Sequence, residues 1–168
     1  PVTFYAKSTV VFNGTSYNIV GKIPGQKHDS MILLSAHYDS YFTGFQDDNC
    51  AVAMLLGMAK ALIESGYQAQ HDLVFCAFAA EEWGLSNTRY DWSTGAYHQI
   101  FYVRPEWRKK TLANFNFELP AYAHGEKNAV RCVYEYVPFL KWFSEQEGEK
   151  TEVHAPVQTW SDEFSVTL

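Results

Sequence analysis

Basic residues are in short supply in this chain: 13 Lys and Arg stand against 19 Asp and Glu, a formal net charge of -6. That deficit argues against nucleic acid or an anionic membrane as the main partner. No apolar run approaches the roughly 20 residues that a membrane span needs, so no span is expected in this chain. Cysteine is scarce, with three residues and no C-x-x-C pair, which argues against a thiolate zinc site. Cys76 falls in an apolar run and Cys50 opens a helical stretch, both ordinary places for a buried free thiol. Internal repeats, linkers and low-complexity segments are absent. No signal peptide is present, but a chain that starts at Pro1 reads as a processed product or an excised piece, so compartment stays open. What is there is globular: 168 residues, 47% hydrophobic and 17% aromatic, enough for one domain with a real core.

The pattern along the chain predicts alternating strands and helices. Thr3 to Phe12 reads as a strand that Asn13-Gly14 turns into a second one, Ser16 to Ile23, closed by Pro24-Gly25. Asn13-Gly14-Thr15 also fits a glycosylation sequon, but the turn is the better reading. Met31 to Ala36 is a short buried strand, and Ala51 to Ser65 carries apolar residues at helical spacing until Gly66 ends it. Asp47 to Asn49 suits the cap of that helix. His71 to Ala80 contains the continuous apolar run of a central strand. Trp83 to Trp107 is aromatic with weak periodicity and is partly loop. Thr111 to Leu119 reads as a strand, Tyr134 to Gln146 as an amphipathic helix, and Glu152 to Val157 as a last strand. The expected fold is α/β with three layers, a mixed and mostly parallel sheet flanked by helices.

In such a sheet, functional groups gather outside the carboxyl ends of the strands. Three buried-strand candidates end in metal-type ligands: His37-Tyr38-Asp39, Glu81-Glu82, and Glu118; Asp47 precedes the first helix. Adjacent carboxylates at the end of an apolar strand are costly to bury unless something positive pairs with them, and the nearest basic residue is Arg89. A divalent cation fills that need, and one imidazole with several carboxylates suits zinc, cobalt or manganese. Taken singly each residue has an ordinary explanation: a structural histidine, a helix cap, a solvated Glu-Glu pair, a loop acid. Four independent junctions carrying such residues together point to a site.

Ala36-His37-Tyr38-Asp39-Ser40, Gly44-x-x-Asp47-Asp48-Asn49-Cys50-Ala51, Ala80-Glu81-Glu82-Trp83-Gly84 and Asn116-Phe117-Glu118 resemble the co-catalytic zinc aminopeptidases, a family that includes glutamate carboxypeptidases. The resemblance spans about Ser16 to Ala121, and Ser161-Asp162 is similar to a later motif. It implies a zinc-dependent exopeptidase of aminopeptidase type, acting on a peptide or small amino-acyl substrate. His37 then resembles a ligand of one zinc, Asp47 the carboxylate bridging two, Glu82 a ligand of the second, and Glu81 the general base. Asp48 competes with Asp47, but the helix that follows favours Asp47. Asp39 is expected to accept the other N–H of His37 and fix the ring. Family habit points to a secreted or periplasmic setting, while free cysteines weigh the other way.

Two departures accompany the resemblance. Glu118 stands where the family has aspartate, and no histidine follows Ser161-Asp162. His154 and His124 do not fit the family's order. The expectation is a single zinc-peptidase domain over 1–168, incomplete at its C-terminus, with the last histidine supplied by a remaining segment or a partner chain. The family pattern as a whole implies two zinc ions, and this chain alone admits one. Other functions compete: a single-zinc glutaminyl cyclase, a non-catalytic receptor-like ectodomain, or surface acids with no metal. Trp83-Gly84 and the His37 to Asp47 spacing favour the peptidase over the cyclase. Arg89, Arg104, Arg108 and Arg131 are candidate carboxylate anchors, and Tyr122 a pocket residue or a packing one.

Overall fold

The computed structural model describes residues 1–9, 11–85, 92–120, 128–148, 151–158, 161–163 and 165. Its centre is a four-stranded sheet in the order β1-β3-β2-β4, with β1 at Ile19–Ile23, β2 at Lys27–His37, β3 at His71–Phe78 and β4 at Thr111–Asn116. β2 runs parallel to both β3 and β4, and β1 is antiparallel to β3. Because three neighbouring strands run the same way, the residues after His37, Phe78 and Asn116 emerge at one end of the sheet.

Period-two alternation along β3 sends Val74, Cys76 and Phe78 to one face and Leu73 and Phe75 to the other. On the first face they join Met31 and Leu33 of β2 and meet Ala96, Ile100 and Trp107. On the second they meet helix α1, Cys50–Glu64, whose Ala51 and Leu55 are buried and whose Val52, Met58, Ala59 and Leu62 lie against the same cluster. That spacing is one helical stripe. Gly66, at φ +69, takes the left-handed position past the end of α1. Helices thus cover both faces, as expected of a three-layer α/β fold.

Several elements differ from expectation. Thr3 to Phe12 forms no strand in its described residues; Asn13 does sit in a turn at φ 59, but Val2 and Phe4 are 95% and 87% exposed. An isolated hairpin arm gains too little without an apolar face to cover, and only Ile19–Ile23 is held, by β3. β2 is longer than the run Met31 to Ala36, because Lys27 already pairs with His71 across a bulge. The cap role of Asp47 to Asn49 is not realised: Asn49 holds helical angles and its side chain makes no capping bond. The aromatic stretch folds into α2 (Thr94–His98), a π-type turn at Gln99–Val103 and α3 (Trp107–Lys110), and supplies one face of the core. Past β4, a strand absent from the sequence reading, β5 (Ala129–Arg131), pairs in parallel with β6 (Glu152–His154) in a separate small sheet. Helix α4, Val137–Glu147, lies between them in sequence behind a 3-10 turn at Tyr134–Tyr136. No helix among the described residues is long and apolar enough to cross a membrane.

Candidate metal centre

His37 is the last residue of β2 and is fully buried. Its Nδ1 lies 2.9 Å from the backbone carbonyl of Asp39, so Nδ1–H donates there and Nε2 faces the acids. From Nε2, Asp47 Oδ1 is 2.9 Å away, Glu118 Oε1 3.3 Å and Glu81 Oε2 3.9 Å. Two donor groups form around this ring: His37 with Asp47 and Glu118, and His37 with Glu81 and Glu82, the ligand atoms of each lying within 4.8 Å of one another. The acids foreseen at strand ends therefore converge on one point.

Asp39 works differently from expectation. Its carboxylate is 3.5 Å from His37 Nδ1, beyond the carbonyl that takes the N–H. Oδ1 and Oδ2 instead accept the backbone N–H groups of Glu81 and Glu82, each at 3.1 Å. Burial works against the Asp39 carboxylate, but the nearby His37 ring and these two amide donors outweigh it and hold the pKa below the usual value. The chain turns sharply before the acids, with Ala80 at φ 54, a left-handed conformation rare outside glycine. Asn18 braces this corner: its Oδ1 accepts from Ala79 N at 2.9 Å and its Nδ2 donates to Gly95 O at 3.0 Å. Gly95 packs so closely that a Cβ there would lie 1.6 Å from the Ala79 carbonyl oxygen.

The two glutamates are set apart by their partners. Glu81 Oε1 accepts from Trp92 Nε1 at 2.7 Å and from Ser93 Oγ at 3.3 Å, which leaves Oε2 turned to His37. Burial pushes the Glu81 pKa up to about 8. Glu82 is also raised, by burial and then by the Asp47 charge. Of the two adjacent aspartates, Asp47 is the one that joins a donor group with His37. Its side chain is half exposed and reaches His37, whereas Asp48 is buried, with Oδ1 accepting from Leu119 N at 3.2 Å. Burial, followed by the charge of Glu118, lifts Asp48 to about 8.

Sequence reasoning missed Trp92 and the polar set behind Glu118, because both reach the site from distant segments. Ser161, by contrast, carried a signal in the Ser-Asp pair: its Oγ donates to Glu118 Oε2 at 3.0 Å. Asp162 is wholly buried, its carboxylate oxygens lack partners among the described residues, and burial raises its pKa well above the usual range. His154 lies in β6 beside Glu152, outside both donor groups. Arg104 pairs with Glu106 at 3.8 Å, the Arg108 guanidinium stacks over Phe101, and Arg131 belongs to β5. Arg89, Tyr122 and His124 lie outside the described residues.

The donor set fits a divalent cation. Among the described residues, the only cationic group paired with these acids is His37 itself. Burial opposes its charge, but bonds to Asp39 and Glu118 and the surrounding carboxylates push its pKa up to about 12. Imidazole nitrogen with carboxylate oxygens is the donor chemistry of zinc and its neighbours, and no thiolate takes part.

A sequence model of the family described as Peptidase family M28 matches residues 18–160. An aminopeptidase of Bacillus subtilis, YwaD, is 31% identical over 111 residues, covering 64% of this chain and 22% of its own length. Among solved structures, a zinc aminopeptidase from Bacillus subtilis matches with a TM-score of 0.75 and 22% identity, over 93% of this chain and 38% of that one. A glutaminyl cyclase from an Acidobacteriales bacterium matches with a TM-score of 0.65 and 17% identity, over 89% and 54%. At those identities the two structures speak for the fold. The chain thus spans about a fifth of the length of the curated relative.

Proposed function

This chain belongs to peptidase family M28, and on that premise we propose that it carries the zinc centre of an exopeptidase of aminopeptidase type, with Glu81 as general base. The observation that carries the reading is the division of labour between two neighbouring acids. Glu82 and Glu81 share a donor group with His37, yet Glu81 alone has one oxygen tied to Trp92 and Ser93. A base must stay off the cation while a ligand sits on it, and those two donors provide that restraint.

In this reading His37, Asp47 and Glu118 would hold one zinc, and Glu82 would serve a second where two are bound. The bound cation supplies Lewis acidity, polarising the scissile carbonyl and making the attacking water more acidic. Oε2 of Glu81 takes a proton from that water as its oxygen bonds to the carbonyl carbon. Glu81 then delivers the proton to the amine nitrogen as the C–N bond breaks. The likeness to the aminopeptidase YwaD supports a free peptide N-terminus as the substrate feature.

The test is zinc content and hydrolysis of an aminoacyl anilide by the full chain and by Glu81→Gln. The variant is expected to keep its zinc and lose activity by about 10²–10⁴-fold. Full activity in Glu81→Gln would remove the general-base role. A chain that cyclises N-terminal glutamine with one zinc, and leaves the anilide intact, would instead be a cyclase.

A further inference from the structure

The proposed ligand Glu118 is not left to find its own orientation. Behind it runs a chain of polar side chains that begins inside the sheet. Ser35, fully buried on β2, faces Asn116 of β4 in register, and its Oγ donates to Asn116 Oδ1 at 2.7 Å. The Asn116 amide is then committed: Nδ2 donates to Ser161 Oγ and to Glu163 Oε2, both at 3.3 Å. Ser161 is itself buried; its O–H donates to Glu118 Oε2 at 3.0 Å, with the Glu163 carboxylate beside it as a second hydrogen-bonding partner. The remaining oxygen, Oε1, is the one facing His37.

From this relay we infer that Ser161 is a positioning residue, fixing the Glu118 carboxylate so that Oε1 alone is offered to the cation. The inference rests on the zinc reading above and deepens it. Glutamate has one more rotatable bond than aspartate, so a second anchor matters more here than for a shorter ligand. Groups that hydrogen-bond a metal ligand commonly govern metal affinity through its orientation. A relay that merely satisfied buried polar atoms would contribute to folding and leave cation affinity untouched, which separates the two roles by experiment.

The experiment is a zinc titration of the full chain against a competing chelator, alongside thermal melting of the metal-free protein. Ser161→Ala is expected to weaken zinc binding about 10–100-fold, with the metal-free melting temperature close to that of the unaltered chain. Ser161→Thr retains the hydroxyl and is expected to restore binding. Ser35→Ala, at the far end of the relay and remote from the cation, is expected to weaken binding by a smaller factor. Unchanged zinc affinity in Ser161→Ala, beside normal binding by the unaltered chain, would overturn the inference and leave the zinc reading standing. Equal losses in the alanine and threonine variants, tracking a lowered metal-free melting temperature, would also overturn it, as a purely structural effect. Failure of the unaltered chain to bind zinc would remove both.

Discussion

A single indole N–H separates the proposed base from its neighbour. Trp92→Phe keeps an aromatic ring but deletes the 2.7 Å donor to Glu81 Oε1. A hydrogen bond to a charged group contributes about 1.5–3 kcal/mol, so turnover is expected to fall about 10–100-fold while zinc content stays constant. Steady-state kinetics with metal analysis checks this, and loss of zinc in step with activity would count against it. His37, Glu81, Glu82 and Glu118 were legible as candidates because strand ends in an α/β sheet converge, whatever the loops between them do, and Asp47 because it stands just before the helix that follows the first of those strands. Trp92, Asn116 and the carboxylate of Asp39 were not. Their partners lie 11, 45 and 42 positions away or are backbone amides, and neither kind of contact leaves a local pattern.

Among the elements, those read correctly are those with one strong period. β3 alternates between two covered faces and α1 carries one apolar stripe, so length and spacing were enough. α2 and α3 span five and four residues, too short for a helical period to be visible, and packing against β2 and β3 accompanies their order. The arm before β1 failed in the opposite way: it is rich in valine, threonine and aromatics and alternates loosely, but its described residues find no apolar surface to cover. Where α2 meets the corner after β3, Gly95 leaves no room for a side chain. Gly95→Ala would set a methyl carbon on the Ala79 carbonyl oxygen, and backbone must move to relieve it. Destabilisation of about 1–3 kcal/mol is expected, typical of overpacking, with zinc binding weakened because the same corner presents Glu81 and Glu82. Chemical denaturation with a zinc titration measures both, and a variant as stable as the parent would contradict it.

For the whole molecule, the two ends of the sheet have different electrostatics. Opposite the donor groups, Asp72 at the start of β3 collects Lys22 at 3.1 Å, His28 at 2.7 Å and the Gly25 amide at 2.8 Å. Burial opposes its charge, but these three donors hold its pKa near 2. A carboxylate depressed in the folded state stabilises above its unfolded pKa of about 4, and that contribution drains away as pH falls through about 2. With screening at this rim the contribution is about 1–2 kcal/mol. Asp72→Asn is therefore expected to lower stability near neutrality and to flatten its decline between those two values, as measured by denaturant titration at stepped pH. At the other end, the loop around Asp39 has a mechanical meaning. Its carbonyl grips the imidazole of one strand while its carboxylate grips the amides that follow the next. Breathing of the sheet then carries histidine and glutamates as one body, so thermal drift costs alignment within the pair far less than it costs position.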